Sequence, residues 1–180
     1  MLQITIPASE LWDEKNQKFI HTKEQTLVLE HSLVSLSKWE SKWRKPFISN
    51  NKRTTEETID YVRCMTITQN VDQRVYMALT NENIEQVNKY IDDKMTATWF
   101  TEKSKGKASS EQITSELIYY WMISMNIPFE CQKWHLNRLL TLIRVCNEKN
   151  QPQKKMSKRD TLNQYRSLNA ARRQKHARRR

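Results

Sequence analysis

One glycine, Gly106, occurs in 180 residues. Phosphate-binding loops and dinucleotide fingerprints need several glycines so that the backbone can approach its ligand closely, and neither is encoded here. Nucleotide binding by those routes is excluded, and no cofactor is assigned. Three cysteines, Cys64, Cys131 and Cys146, are too few and too scattered for a secreted disulfide framework and read as reduced thiols. Long apolar runs are missing too. No stretch approaches the ~18–20 residues needed to span a bilayer, and the N-terminal MLQITIPASELW lacks a basic leader followed by an apolar segment. These absences predict a chain made in the cytoplasm and not bound to a membrane.

Acidic residues are scarce at one end only. From Pro152 onward there are eleven Lys or Arg against a single acid, Asp160, while the preceding 151 residues hold twenty basic and nineteen acidic side chains. The formal charge of +11 therefore belongs almost wholly to the tail. With 37% hydrophobic and 28% charged residues, the remainder has the composition of a globular domain long enough to bury a core.

What is present is mostly helical periodicity. The densest apolar stretch, Thr114 to Asn147, reads as two helices meeting at Pro128. The first carries Ile113, Leu117, Tyr120, Trp121 and Met125 at helical spacing, with Ile118 and Met122 on the side away from that stripe. Such a helix is expected to be covered on more than one face. The second begins at Phe129 after the proline and aligns Leu136, Leu139, Leu140, Ile143 and Cys146, which predicts an antiparallel helical hairpin. Ser110 is the expected cap of the first helix, helped by Glu111 and Glu116.

Strands are expected chiefly at the N-terminus. Leu2, Ile4 and Ile6 alternate with polar residues, LWDEKNQKFIHT has the pattern of a hairpin, and QTLVLEH supplies a further strand. From Ser35 to Lys45, Leu36, Trp39 and Trp43 share one helical face. The two tryptophans read better as packing than as a stacking platform for bases. Thr54 followed by Glu57 is a capping-box signature, and a second cap falls at Thr80 or Asn81 ahead of Ile84, Val87 and Ile91. Met95 to Phe100 reads as a short strand and TEKSKGKASS as a surface loop. Ser157 with Asp160 starts a basic helix carrying Leu162, Tyr165 and Leu168. The expected fold is mainly α, of the α+β type. It comprises a β-ribbon over 1–30, a helical domain over 31–151 built around the hairpin, and a basic C-terminal helix or tail over 152–180.

Candidate chemistry is sparse. Cys131 and His135 lie four apart, with Cys146 within roughly 60° on a helix of 3.6 residues per turn, so a shared metal or an imidazole-activated thiol is conceivable. No second cysteine pair and no fourth ligand accompany them, and Phe129, Trp134 and Leu142 make burial a sufficient account. No catalytic residue and no metal ligand is therefore assigned. The candidate contacts for nucleic acid or an acidic protein partner are Lys154, Lys155, Lys158, Arg159, Arg166, Arg172, Arg173, Lys175, Arg178, Arg179 and Arg180. The candidate apolar partner surface is Tyr120, Trp121, Met125 and Trp134.

Several segments carry a resemblance over nearly the whole chain after about residue 28. SLSKWESKWRKPF, ETIDYVRCMTITQNV, MTATWF, the TSELIYYWMISMNIPFECQKWHLNRLLTLIRVCN core, KKMSKRD and LNAARR resemble a family of small proteins from the virion-structure gene module of tailed bacteriophages and prophages, described as tail assembly chaperones. The resemblance implies a non-enzymatic protein of the host cytoplasm that binds the tape measure protein and the tail-tube subunits. A structural component of the virion, or a nucleic-acid-binding protein using its basic tail, are the alternatives it leaves.

Overall fold

The structure is a computed structural model that describes residues 1–13, 17–49, 53–100, 112–150 and 158–177. The expected loop over 101–110 and the expected caps Ser110 and Ser157 lie outside the described residues. The fold is mainly helical with two small antiparallel sheets. The chain divides into two units, Met1–Asn147 and Glu148–Arg180.

The first unit opens with four strands. β1 (Leu2–Ile6) pairs antiparallel with β4 (Gln25–Leu29), and between them β2 (Ser9–Asp13) pairs with β3 (Lys18–Thr22). In the register Ile4 faces Leu27 and Leu2 faces Leu29, so the period-two alternation puts Ile4, Ile6, Leu27 and Leu29 on one buried face. The free edge of β4 does not end in solvent. Ile67 N–H donates to the Val28 carbonyl (2.8 Å), Val28 N–H to Thr68 Oγ1 (2.9 Å) and Glu30 N–H to the Met65 carbonyl (2.9 Å). That strap supplies the partners an edge strand otherwise lacks, and it places the strands in the same core as the helices.

α1 (Leu33–Trp43) and α2 (Thr55–Met65) pack on each other through the tryptophan stripe. Trp39 is fully buried, its indole N–H donating to the Glu57 carbonyl (2.9 Å), and Trp43 stacks beside it while donating to Asp60 Oδ2 (2.9 Å). Packing is thus the use this stripe is put to, and both indole donors are satisfied. α2 starts with the expected capping box: Glu57 N–H donates to Thr54 Oγ1 (3.2 Å) and Thr54 N–H to Glu57 Oε2 (2.8 Å). Thr54→Ala is expected to lower stability by about 1 kcal/mol and the melting temperature by ~2–4 °C, read by thermal unfolding. A 3₁₀ turn (Gln73–Ala78) leads to α3 (Asn81–Asp92), capped by Thr80.

Met95 to Phe100 forms no strand. Met95 takes the left-handed conformation (φ 48°), Asp93 Oδ1 accepts from Met95 N–H (3.1 Å) and Thr96 Oγ1 from Thr98 N–H (3.1 Å). Such local side-chain acceptors offer the backbone a turn in place of a ladder. α4 (Ser115–Ser124) is capped by Thr114, whose Oγ1 accepts from Leu117 N–H (3.4 Å), and not by Ser110 as expected, and it ends before Asn126, whose φ of 53° is the left-handed conformation that commonly terminates a helix. Pro128 does separate two helices, but the second starts later than expected. Phe129–Lys133 is a 3₁₀ turn and α5 runs from Leu136 to Asn150. Its entry is fixed by Leu136 N–H donating to the His31 carbonyl (2.7 Å). α4 has its main packing partner in α1 rather than in α5. In the second unit α6 spans Lys158–Ala177.

Candidate functional site

On α4 the buried face consists of Ser115, Ile118 and Met122, at i, i+3 and i+7. Of the stripe expected to be buried, Ile113, Leu117, Trp121 and Met125 are half-buried and Tyr120 is turned to solvent. Tyr120 is 63% exposed, and Ile123, three residues on and so on the same side, is 60% exposed. Trp121 and Met125 are half-buried along the flank. Trp134, also half-buried, lies beneath the Arg138 guanidinium at 4.3 Å. Of the four residues proposed as an apolar partner surface, Tyr120 alone is well exposed. Ile123 and Phe129 (54% exposed) are the exposed apolar residues that periodicity missed. A helix apolar on all sides gives no sequence signal for which side is covered.

α4 is positioned by one buried acid. Glu40, on α1, accepts from Ser115 N–H through Oε2 (2.7 Å) and from Phe47 N–H through Oε1 (2.8 Å). A carboxylate at the first amide of a helix complements the positive end of its dipole. It also ties the segment after α1 to the same point. The exposed face of α4 therefore stands on a fixed frame.

The Cys131, His135 and Cys146 group is arranged for packing. Cys131 is buried, and burial pushes its thiol above the ordinary range, the reverse of what a nucleophile needs. His135 has both ring nitrogens engaged: Nδ1 accepts from Asn137 N–H (3.3 Å) and Nε2 faces the Tyr90 carbonyl (3.0 Å) as its donor. Among the described residues no group of three or more His, Cys, Asp or Glu side chains is placed to hold a metal ion.

Sequence reasoning gave His31 no partner. It is buried at the head of α1, with Nδ1 2.5 Å from the Tyr61 hydroxyl and its ring edge-on to His135 at 5.1 Å. Tyr90 continues the chain of contacts by donating to Glu30 Oε1 (2.8 Å). Burial, then His135 and Arg53, lower the His31 pKa to about 3, so the imidazole is neutral at physiological pH. Such a group, spread over α2, α3 and the residues that precede α1 and α5, has no local sequence signature.

Of the basic candidates, Arg159, Arg166, Arg172, Arg173 and Lys175 are exposed along α6, and Lys158 is its first residue. Lys154, Lys155, Arg178, Arg179 and Arg180 lie outside the described residues. Arg159, Arg166 and Arg173 recur every seven residues and so form one row along the helix, drifting only ~20° per step. Leu162, Tyr165 and Leu168 are also exposed, giving the helix an apolar stripe as well as a basic one. Among the described residues no helix is long and apolar enough to cross a membrane.

Comparison of the chain with protein-family models, with curated proteins and with solved structures found no match.

Proposed function

We propose that this protein is a non-enzymatic morphogenesis factor of a tailed bacteriophage, a tail assembly chaperone that holds an apolar helical segment of the tape measure protein and recruits tail-tube subunits. The observation that carries the reading is the face of α4. Tyr120 and Ile123 stand exposed on a helix whose opposite side is locked in the core. An amphipathic partner helix would lay its apolar side there, as in other helix-recognition surfaces. The phage assignment itself rests on the sequence resemblance. In this reading the two helices about Pro128 are the scaffold, and the basic C-terminal helix offers a second, electrostatic contact to an acidic surface.

The test is affinity capture of the tagged full-length protein from infected cells. Recovery of the tape measure or tube protein supports the proposal, and recovery of assembled heads or DNA alone overturns it. Mass spectrometry of purified virions separates the structural alternative, because a chaperone is missing from finished particles. Tyr120→Ser combined with Ile123→Lys is expected to reduce capture of the tape measure at least ~10-fold while leaving the melting temperature within ~2 °C, since exposed substitutions change stability by only about 0.5 kcal/mol. Undiminished capture by that variant would remove α4 from the interface.

A further inference from the structure

A notch of about 240 Å³ opens between one side of α5 and the chain from Lys94 to Phe100. Its α5 wall is made by Asn137, Thr141 and Arg144, which stand above one another at i, i+4 and i+7. The opposite wall is held in place by Asn137, whose side-chain amide donates to the carbonyls of Ile91 (2.8 Å) and Asp93 (2.7 Å). The turn bonds at Met95 and Thr98 then fix the course of the chain up to Trp99.

Trp99 is 76% exposed, more than any other tryptophan of the chain, and Lys94 Nζ lies 4.5 Å from its ring centre. Beside it the Arg144 guanidinium sits 3.9 Å over Phe100. Two ring and cation pairs therefore meet at one notch that also carries the hydroxyls of Thr96, Thr98 and Thr141. Asp93, the acid preceding Lys94, has its carboxylate turned to Met95 N–H.

We infer that this notch binds single-stranded nucleic acid, one base stacking on Trp99 while the adjoining phosphate lies on Lys94. An open aromatic face accepts any base, and a cation within reach of the ring is placed to take the phosphate attached to it. Duplex DNA keeps its bases stacked on one another and cannot use the ring. An acidic peptide would engage the cations and leave Trp99 idle. The residues named here all belong to the first unit, and the site does not depend on the chaperone reading, which concerns α4.

The test is fluorescence anisotropy of the full-length protein with a labelled oligo(dT) and with a duplex of equal length. Trp99→Ala is expected to weaken oligo(dT) binding about 5- to 150-fold, Trp99→Phe to retain most of it, and neither to alter duplex binding. Lys94→Gln should lower the dependence of log affinity on log salt by about one phosphate contact. The proposal is overturned if wild type fails to bind oligo(dT), or if Trp99→Ala binds it as wild type does, which would assign the affinity to the basic helix. Equal loss of duplex binding, or competition by poly-glutamate as effective as by unlabelled oligo(dT), overturns it as well.

Discussion

Replacing Glu40 with alanine is expected to lower the melting temperature by roughly 10 °C. Both carboxylate oxygens of this buried side chain accept backbone N–H groups, from Phe47 and from Ser115. Hydrogen bonds to a charged group contribute about 1.5–3 kcal/mol each, and an amide left buried without an acceptor adds its own desolvation penalty. A loss of about 3–5 kcal/mol follows, and for a chain of this length each kcal/mol moves the midpoint by ~2–4 °C. The damage extends beyond two bonds, because Phe47 stacks on Tyr61 at 3.9 Å and meets Trp39 edge-on at 5.1 Å. Glu40→Gln retains one acceptor oxygen and presents its amide donors to the other N–H, so about half the loss is expected. Glu85→Ala, at an exposed position of α3, serves as the control and should stay within about 0.5 kcal/mol. A Glu40→Ala protein melting within 2 °C of the parent would show that water replaces the carboxylate and that α4 needs no such anchor.

The features that were legible in the sequence are those whose partners lie a few residues away. The Thr54 and Glu57 box is a contact between residues three apart, so its chemistry and its spacing are visible together. The same holds for the Thr80 cap and for Trp39 and Trp43, one helical turn apart. The alternation of Leu2, Ile4 and Ile6 predicted a strand, and the segments after it a hairpin and a further strand, though not that the first strand pairs with Gln25–Leu29 around that hairpin. Glu40 gave no signal, because its acceptors serve residues 7 and 75 positions away. His31 and Tyr61, 30 apart, are a similar case. Met95 to Phe100 misled for a different reason. Its β-branched and aromatic residues suit a strand, but the Asp93 and Thr96 side chains bond the local amides. On α4, apolar residues on every side left the exposed face undefined until α1 was in place.

Acid is expected to destabilise the protein from about pH 6.5 downward, well before its carboxylates are protonated. His31 titrates near 6.5 in the unfolded chain and at about 3 in the folded one, where burial, the neighbouring His135 and Arg53 oppose its positive charge. Above pH 6.5 neither state binds the proton and the group contributes no pH dependence. Between the two values the unfolded chain is protonated and the folded one is not, so stability falls by about 1.4 kcal/mol per pH unit, towards a total of about 4–5 kcal/mol near pH 3. Glu57, held below its ordinary value of 4.5 by its hydrogen bond from Lys45, loses its contribution only below that value, so the two windows separate. Urea midpoints measured from pH 8 to pH 5 report the histidine alone among these two. His31→Gln keeps an acceptor for the Tyr61 hydroxyl and cannot titrate. It should be less stable than the parent at pH 8 by about 1–2 kcal/mol and nearly flat down to pH 5, so the two curves approach each other as the pH falls. A variant that declines as steeply as the parent would mean that the proton enters elsewhere, and that His31 is accessible to it in the folded state.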